Sequence, residues 1–431
     1  MLDIRFIRDN AEAVQQNARN KRYDVSIKDL LELDDERRSL QQQVDELRER
    51  RNANAAKMQG GKPEQSAIDE GKQIKIELGE REGHLSGVDN KFITILKTVP
   101  NMAFGDVPVG ASEDENVEVK VVGEKPQFEF TPKNHSEIAE AKGWLDKERA
   151  SKVAGARFAY IMGDLVLLQQ AIIQFVMTTL ANSDVIGRIA QDNGLDIATS
   201  GFTPVLPPLM IRTEAYEQMD RLEPRDDRYK IDGEELWLQG SAEHVLGSMH
   251  AGEVFNADTL PLRYLGFATS FRKEAGTYGK DMEGLIRMHQ FDKLEMESFT
   301  TAEDGVKEHL LFIAIQEYLL QQFGLPYHVL MKCTADIGKP NARGVDMEVW
   351  LPGQEKYRET HTADYMTDYQ ARRLNTRVRT EDGLSLVHTN DATAFALGRI
   401  MVAILENYQT VNGDVNVPEV LRPFMGGRSV I

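Results

Sequence analysis

Apolar residues in the first hundred positions follow a seven-residue rhythm. Between positions 26 and 58, Leu33, Leu40 and Leu47 hold one heptad position and Leu30 and Val44 the other, with charged residues between them. That stripe predicts one long helix packed on a partner. Gly60, Gly61 and Pro63 interrupt it, because glycine and proline both disfavour a helix interior. The rhythm then resumes, with Ile74, Leu78, Arg81, Leu85, Val88, Phe92 and Ile95 stepping by four and three. A short turn between two heptad helices predicts an antiparallel hairpin about 45 Å long, at roughly 1.5 Å per residue. Arg37, Arg51 and Arg81 occupy apolar slots, which a tightly zipped coil does not favour. On periodicity alone, the arm reads equally as an oligomerisation scaffold and as a ligand-binding arm.

The arm ends at Val99-Pro100-Asn101, and a Gly/Pro/Asp-rich stretch over 102–116 reads as a linker. The remainder, 117–431, has a mixed texture. Residues 117–122 alternate as a strand, 165–180 form an apolar helix, and 202–209 are strand-like, closed by Pro207-Pro208. Residues 182–199 are polar and read as a helical insert. There is no internal repeat and no low-complexity tract.

With 431 residues, 41% apolar and 28% charged, the composition is that of a globular protein with room for two or three domains. Cys333 is the single cysteine, which excludes an internal disulfide and any clustered-cysteine metal site. A reducing compartment follows, and no stretch approaches the roughly 20 apolar residues of a membrane span, so the expectation is a cytoplasmic, untethered protein. The formal net charge is −18, but it is unevenly spread. The first hundred residues carry 18 basic and 19 acidic side chains, so any polyanion contact is expected on the arm rather than on the acidic remainder.

Local motifs for nucleophilic or metal chemistry are absent: there is no GxxxxGK[ST], HExxH, CxxC or GxSxG. Residues 276–280 are glycine-rich but too short for a phosphate loop. The informative stretch is Phe271-Arg272-Lys273-Glu274, a polar loop, and Gly284-Leu285-Ile286-Arg287-Met288-His289-Gln290-Phe291-Asp292-Lys293-Leu294-Glu295. Read as two antiparallel strands, it places Arg272 and Glu274 on one face and Phe291, Lys293 and Glu295 on a face of the return strand. If the faces coincide, an arginine for a phosphate, a ring for a base and a glutamate for an exocyclic amine converge, which suits a nucleotide. Ordinary cross-strand ion pairs would give the same pattern. Near the carboxyl end, Gly398-Arg399 opens an apolar helix over 400–408, so Arg399 adds its charge to a helix amino terminus where a phosphate can be held.

These stretches resemble motifs 2 and 3 of the class II aminoacyl-tRNA synthetases, in detail those of the seryl-tRNA synthetase family. Residues 404–409 and Val417-Pro418-Glu419-Val420-Leu421-Arg422-Pro423-Phe424 resemble that family's tail, and 201–208 resembles motif 1, which helps build a dimer interface. The resemblance spans nearly the whole chain. It implies an α+β fold, with a class II catalytic domain (117–431) on an antiparallel sheet flanked by helices and an amino-terminal tRNA-binding domain (1–101) bearing the coiled-coil arm. It also implies serine activation with ATP and Mg²⁺, transfer to tRNA(Ser) with tRNA(Sec) as a second candidate acceptor, and a homodimer.

By the same resemblance, Arg272 and Arg399 are catalytic, and Arg272, Lys273, Glu274, Arg287, Met288, Phe291, Glu359, Thr360, His361, Thr362 and Arg399 bind ATP. Glu359 and Thr362 hold the metal, and Ser241, Ala242, Glu243, Arg272, Glu295, Asp391 and Thr393 bind serine. Three departures stand in this pocket: Ser241 replaces the usual threonine, His361-Thr362-Ala363-Asp364 replaces Ser-Ser-Cys-Ser, and Asp391 replaces an asparagine. Two other readings exist. One is amino-acid activation for a non-tRNA acceptor, which a full-length arm disfavours. The other is a non-catalytic scaffold, which the joint presence of these charged residues disfavours.

Overall fold

The computed structural model describes residues 1–58, 64–274 and 284–431. The turn glycines at 60 and 61 with Pro63, Lys62, and the glycine-rich 276–280 lie outside the described residues. Two compact units divide the chain, Met1–Met102 and Ala103–Ile431.

The first unit is helical. Two short helices, Ile4–Asp9 and Ala11–Asn20, precede α1 (Ile27–Lys57) and α2 (Gln65–Leu96), which pack along each other. Ser26 caps α1 by accepting from the Asp29 backbone N–H at 3.2 Å. Leu30, Leu40, Val44 and Leu47 are buried against Ile74, Leu78, Val88 and Phe92, so the heptad stripe is the seam. Arg37, in an apolar slot, is accommodated by placing its guanidinium 4.8 Å from the centroid of the Phe92 ring and 2.8 Å from Asp34. Toward the far end, the Asn54 amide donates to the Ala67 carbonyl at 2.8 Å and ties the helices together.

The second unit is built on a sheet that has eight strands among the described residues. They are β1 (Val117–Val122), β2 (Thr203–Val205), β3 (Leu262–Phe271), β4 (Gln290–Thr300), β5 (Tyr327–Met331), β6 (Arg343–Leu351), β7 (Lys356–Thr367) and β8 (His388–Ala396). Their spatial order is β1-β5-β6-β7-β8-β4-β3-β2, antiparallel throughout except for the β2/β3 pair at the end. Residues 103–116, read from the sequence as a linker, are hydrogen-bonded into this unit: Asn116 accepts from the Cys333 N–H at 2.8 Å and donates to Asp336 at 2.8 Å.

One face of the sheet carries the main core. Helices α3 (Asp164–Leu180), α4 (Ser183–Asp192, the expected insert), α5 (Gly305–Gln322) and α6 (Leu397–Asn407) cluster there with Leu294, Met296, Met347, Ala363, Ala392 and Phe395 from the strands. The other face of the central strands is buried as well, yet it bears charge. Along β4, Leu294 and Met296 enter the core while Lys293, Glu295 and Glu297 point away from it, and all five are buried.

Candidate functional site

Two β-bulges decide which side chains face the cavity. In the β6/β7 pair, Met347 faces His361 and Glu348 faces Glu359, so Thr360 is an extra residue. Strict alternation would send Glu359 and Thr362 to opposite faces. The extra residue brings both to the side of Glu348 and Asp346 and turns His361 toward the core. His361 is fully buried, its ring 5.0 Å from that of Phe395, and burial pushes it down to about 3. The bulge register thus assigns the His361 side chain to the core rather than to the cavity. A second bulge, between Thr393 and Phe395, keeps Thr393 and Asp391 on the charged face, opposite Glu295 and Glu297, while Phe395 fills the core.

One cavity is lined by Glu243, Arg272, Glu274, Arg287, Met288, Phe291, Lys293, Glu359, Thr360, Thr362, Thr393, Gly398 and Arg399. Arg272 and Glu274 reach it from beyond β3 rather than from within a strand, because β3 ends at Phe271 and Glu274 has φ +49°. The Arg272 backbone N–H still donates to His289, while its Nε donates to the Gly240 carbonyl at 2.9 Å. Its guanidinium carbon lies 5.4 Å from the centroid of the Phe291 ring. Glu274 lies 3.4 Å from Arg287 Nε. Lys273 is the exception among the expected nucleotide contacts on this strand end. It is exposed, and its ammonium sits 5.5 Å from the Tyr229 ring centroid instead of lining the cavity.

Arg399 stands in the first turn of α6 and reaches Glu359, 2.8 Å to its carbonyl and 2.9 Å to its carboxylate. The helix can start this close because residue 398 is glycine: a Cβ there would fall 2.7 Å from the Leu285 carbonyl oxygen. Partial shielding pushes the Glu359 carboxyl up, but Arg399, ahead of Lys332, Lys293 and Arg272, more than cancels this and holds it below the usual range. The Thr362 hydroxyl accepts from Lys332 at 2.8 Å. A carboxylate and a hydroxyl on one face are hard oxygen donors of the kind Mg²⁺ takes alongside phosphate oxygens and water, so these two residues fit that ion.

The closed end of the cavity is a dense charge cluster. Glu295 is fully buried, ion-paired with Lys293, and accepts from the Ser241 hydroxyl at 3.3 Å. Burial, with Lys293 opposing it, pushes Glu295 up to about 7. Glu243 and Asp391 are both held by Arg221, at 3.0 and 3.2 Å. Burial raises Glu243, but Arg221, with His244 and Lys293, outweighs it and keeps that carboxyl well below its usual range. Asp391 goes the other way, since burial and the neighbouring Glu243 outweigh Arg221. Oxygen atoms of Glu243, Glu295 and Asp391 all lie within 4.8 Å of one another. Ala242 begins a short helix (Ala242–Gly247) and packs with Leu246 and Ala268, so it supports this wall rather than lining it.

Sequence reading passed over three residues here: Lys293 as a site residue, Arg221 and Glu297. The signal was present along β4, where Lys-Leu-Glu-Met-Glu places a charge at every second position of a strand buried on both faces. Arg221 carried none, because it lies far from the strands in sequence.

Comparison with known proteins gives a consistent result. The family described as "Seryl-tRNA synthetase N-terminal domain" matches residues 1–103, and "tRNA synthetase class II core domain (G, H, P, S and T)" matches 227–408. Serine–tRNA ligase of Deinococcus radiodurans is 39% identical over 100% of this chain and 99% of its own. The crystal structure of seryl-tRNA synthetase from Pyrococcus horikoshii complexed with ATP superposes with a TM-score of 0.88 at 34% identity, covering 100% and 99% of the two chains. Cytoplasmic serine–tRNA ligase from Naegleria fowleri, in complex with AMP, gives 0.85 at 27% identity, covering 100% and 98%.

Proposed function

The chain belongs to the seryl-tRNA synthetase family, and from that premise we propose how its own residues ligate serine to tRNA. It is an ATP-dependent serine–tRNA ligase. In the first step the serine carboxylate attacks the α-phosphorus of ATP; a phosphorus–oxygen bond forms to the carboxylate and the bond to the bridging oxygen breaks, releasing pyrophosphate. The attacking carboxylate is already ionised at neutral pH, so the step needs no side-chain base. Position and charge neutralisation carry it.

Arg272, anchored on Gly240, bridges the α-phosphate and the serine carboxylate. Phe291 supplies a face for adenine, and Glu274 accepts from the adenine amine, with Arg287 and Met288 on the same wall. Arg399 takes the γ-phosphate, its charge reinforced by the α6 amino terminus. Glu359 and Thr362 would hold Mg²⁺, which when bound would supply neutralisation of phosphate charge, and Thr360 lines the same cavity. At the closed end, Glu295 and Thr393 hydrogen-bond the serine hydroxyl, while Glu243 and Asp391 face its ammonium and Ser241 orients Glu295. Alanine is rejected because it would leave Glu295 and Thr393 unpaired, and threonine is rejected by size.

In the second step a ribose hydroxyl at the tRNA 3′ end attacks the acyl carbon and AMP leaves. The arm formed by α1 and α2 binds the tRNA, and tRNA(Sec) is a second acceptor to test. Two copies pair through the 201–212 region, where Leu206 is 78% exposed and Leu209 and Met210 are also exposed beside β2. The 1–101 unit is the tRNA-binding domain, and 117–431 is catalytic with 102–116 leading into it. Among the described residues no single helix is long and apolar enough to cross a membrane. We place the protein in the cytoplasm, consistent with one buried thiol.

The observation that carries the site assignment is the convergence of Arg272, Glu274, Phe291, Glu359 and Arg399 on one cavity whose lining includes Lys293, the ion-pair partner of Glu295. The test is amino-acid-dependent ATP–pyrophosphate exchange across all twenty amino acids, followed by charging of tRNA(Ser) and tRNA(Sec). Exchange with serine alone is expected; exchange with another amino acid, or none, overturns the assignment.

A further inference from the structure

The serine end holds one more carboxylate than its cations and its substrate can balance. Glu243, Glu295, Asp391 and Glu297 are packed there, and the cations facing them are Arg221 and Lys293. Fully ionised, the four would leave two negative charges uncompensated beside Arg221 and Lys293; the substrate ammonium supplies one positive charge, and the raised Glu295, with Arg272 acting on it, relieves only part of the rest. Water cannot make up the difference, because Glu295 and Glu297 are fully buried and Asp391 is 1% exposed.

Glu297 is the group out of balance. It lies directly opposite Asp391 in the β4/β8 ladder, where facing side chains share a side of the sheet with Cβ atoms about 5 Å apart. Neither of its carboxylate oxygens has a hydrogen-bond partner, and Asp391 Oδ1 has none either. The space around it is filled: a Cβ on Gly247 would lie 3.4 Å from Glu297 Oε1 and would collide with Met219. The charged and titratable groups facing this pair come from every neighbouring element. They are Glu295 on β4, Tyr264 on β3 directly opposite Glu297, Asp364 on β7, Glu243 and His244 on the 242–247 helix, and Arg221 in the preceding loop. His244 contributes no cation, since burial pushes it down to about 4.

We propose that Glu297 is carried as a neutral acid whose proton is shared with Asp391, and that this proton sets the serine subsite to lack one positive charge, which the substrate ammonium supplies. The inference rests on reading this wall as the amino-acid subsite. Glu297 acts as a positioning residue, since it works through Asp391 rather than on the reacting atoms. Protonation gives it an O–H to donate and removes one of two like charges that face each other across the ladder. Burial, reinforced by Asp391, Glu243 and Glu295 and opposed by Arg221, pushes the Glu297 carboxyl in the same direction. Once the proton is lost at alkaline pH, the subsite carries a second negative charge. It then attracts solvent cations in competition with serine.

The experiment has two arms. First, the serine KM and kcat of the exchange reaction are measured against pH for the wild type, Glu297→Gln and Asp391→Asn. A glutamine is isosteric with the neutral acid and keeps a donor, so E297Q is expected to hold the serine KM within about twofold at neutral pH and to lose the alkaline rise seen in the wild type. A tenfold or greater increase in serine KM for E297Q at neutral pH would mean that the carboxylate itself is used, and overturns the proposal. Second, infrared difference spectra of the wild type against E297Q, taken without substrate, should show the carbonyl stretch of a protonated carboxylic acid in the wild type. Its absence overturns the proposal independently of activity. If the wild type shows no serine-dependent exchange, the functional assignment fails while the infrared arm still decides the protonation state.

Discussion

The two ends of the catalytic cavity treat charge in opposite ways. At the end near Arg399, Glu359 and Arg399 have side chains 46% and 27% exposed and pair with each other within reach of solvent. At the end near Glu295, that residue is 0% exposed and Asp391 1%, and the cations ion-paired with the two among the described residues are Lys293 and Arg221. Exposed pairs contribute roughly 0–1 kcal/mol to stability, whereas a buried charge stripped of its partner costs several. The open end is thus free to serve chemistry, because losing a charge there does not threaten the fold. The closed end must satisfy chemistry and folding with the same groups.

Arg272 and Arg221 put that contrast to its hardest test. Arg272→Ala, at the open end, should slow serine-dependent exchange ~10²–10³-fold while leaving unfolding free energy within about 1 kcal/mol of wild type. Exchange kinetics and urea melts measure both; a large stability loss would break the comparison. Arg221→Ala strands Glu243 and Asp391 without their cation and should cost about 3–5 kcal/mol of stability, with a raised serine KM and an ATP KM little changed. Equal changes in both KM values would show that the two ends are not separable.

Glu295 sharpens the comparison through pH. Its folded-state value, about 7, stands above the ordinary 4.5, so the folded protein binds this proton more tightly than the unfolded chain does. The contribution is full below about 4.5 and is lost as pH rises toward 7. In the apo protein the stability of wild type minus that of Glu295→Gln should fall by up to about 3 kcal/mol over that window, read from denaturant midpoints at a series of pH values. A flat difference would place Glu295 in a wetter setting. The smallest effect is expected on the arm. Replacing Arg48, Arg50 and Lys72 together should raise the tRNA KM several-fold in a salt-dependent manner, with exchange unchanged and less than about 1 kcal/mol lost, because their pairs with Glu82, Glu77 and Asp69 are exposed.

Legibility in the sequence differed between regions for physical reasons. The arm was readable because a heptad is a local pattern: Leu40, Val44 and Leu47 declare their shared face through spacing alone, and they form the seam of α1 and α2. The cavity residues Arg272, Glu274 and Phe291 were readable as a constellation, since they lie close to one another in the sequence, at or just beyond the ends of β3 and β4. The side chains of His361 and Lys273 point away from the cavity, which the sequence did not reveal. Alternation along a strand fails at a bulge, and nothing in the string of residue types marks Thr360 as the extra one. Lys273 was carried along with its neighbours, although its backbone N–H bonds Asp227 and its side chain turns to Tyr229.

By itself the sequence determined the helical arm, the α+β character of the rest, the family, and most of the residue types that line the cavity. These are properties of short-range pattern and of recognisable motifs. Only the tertiary structure decided which carboxylates share a dry wall, that Arg221 bridges Glu243 and Asp391, and that Glu297 stands opposite Asp391 without a partner. Those relations join residues 22 to 170 positions apart. Their energetics depend on desolvation, which is a property of the folded interior and has no counterpart in the linear chain.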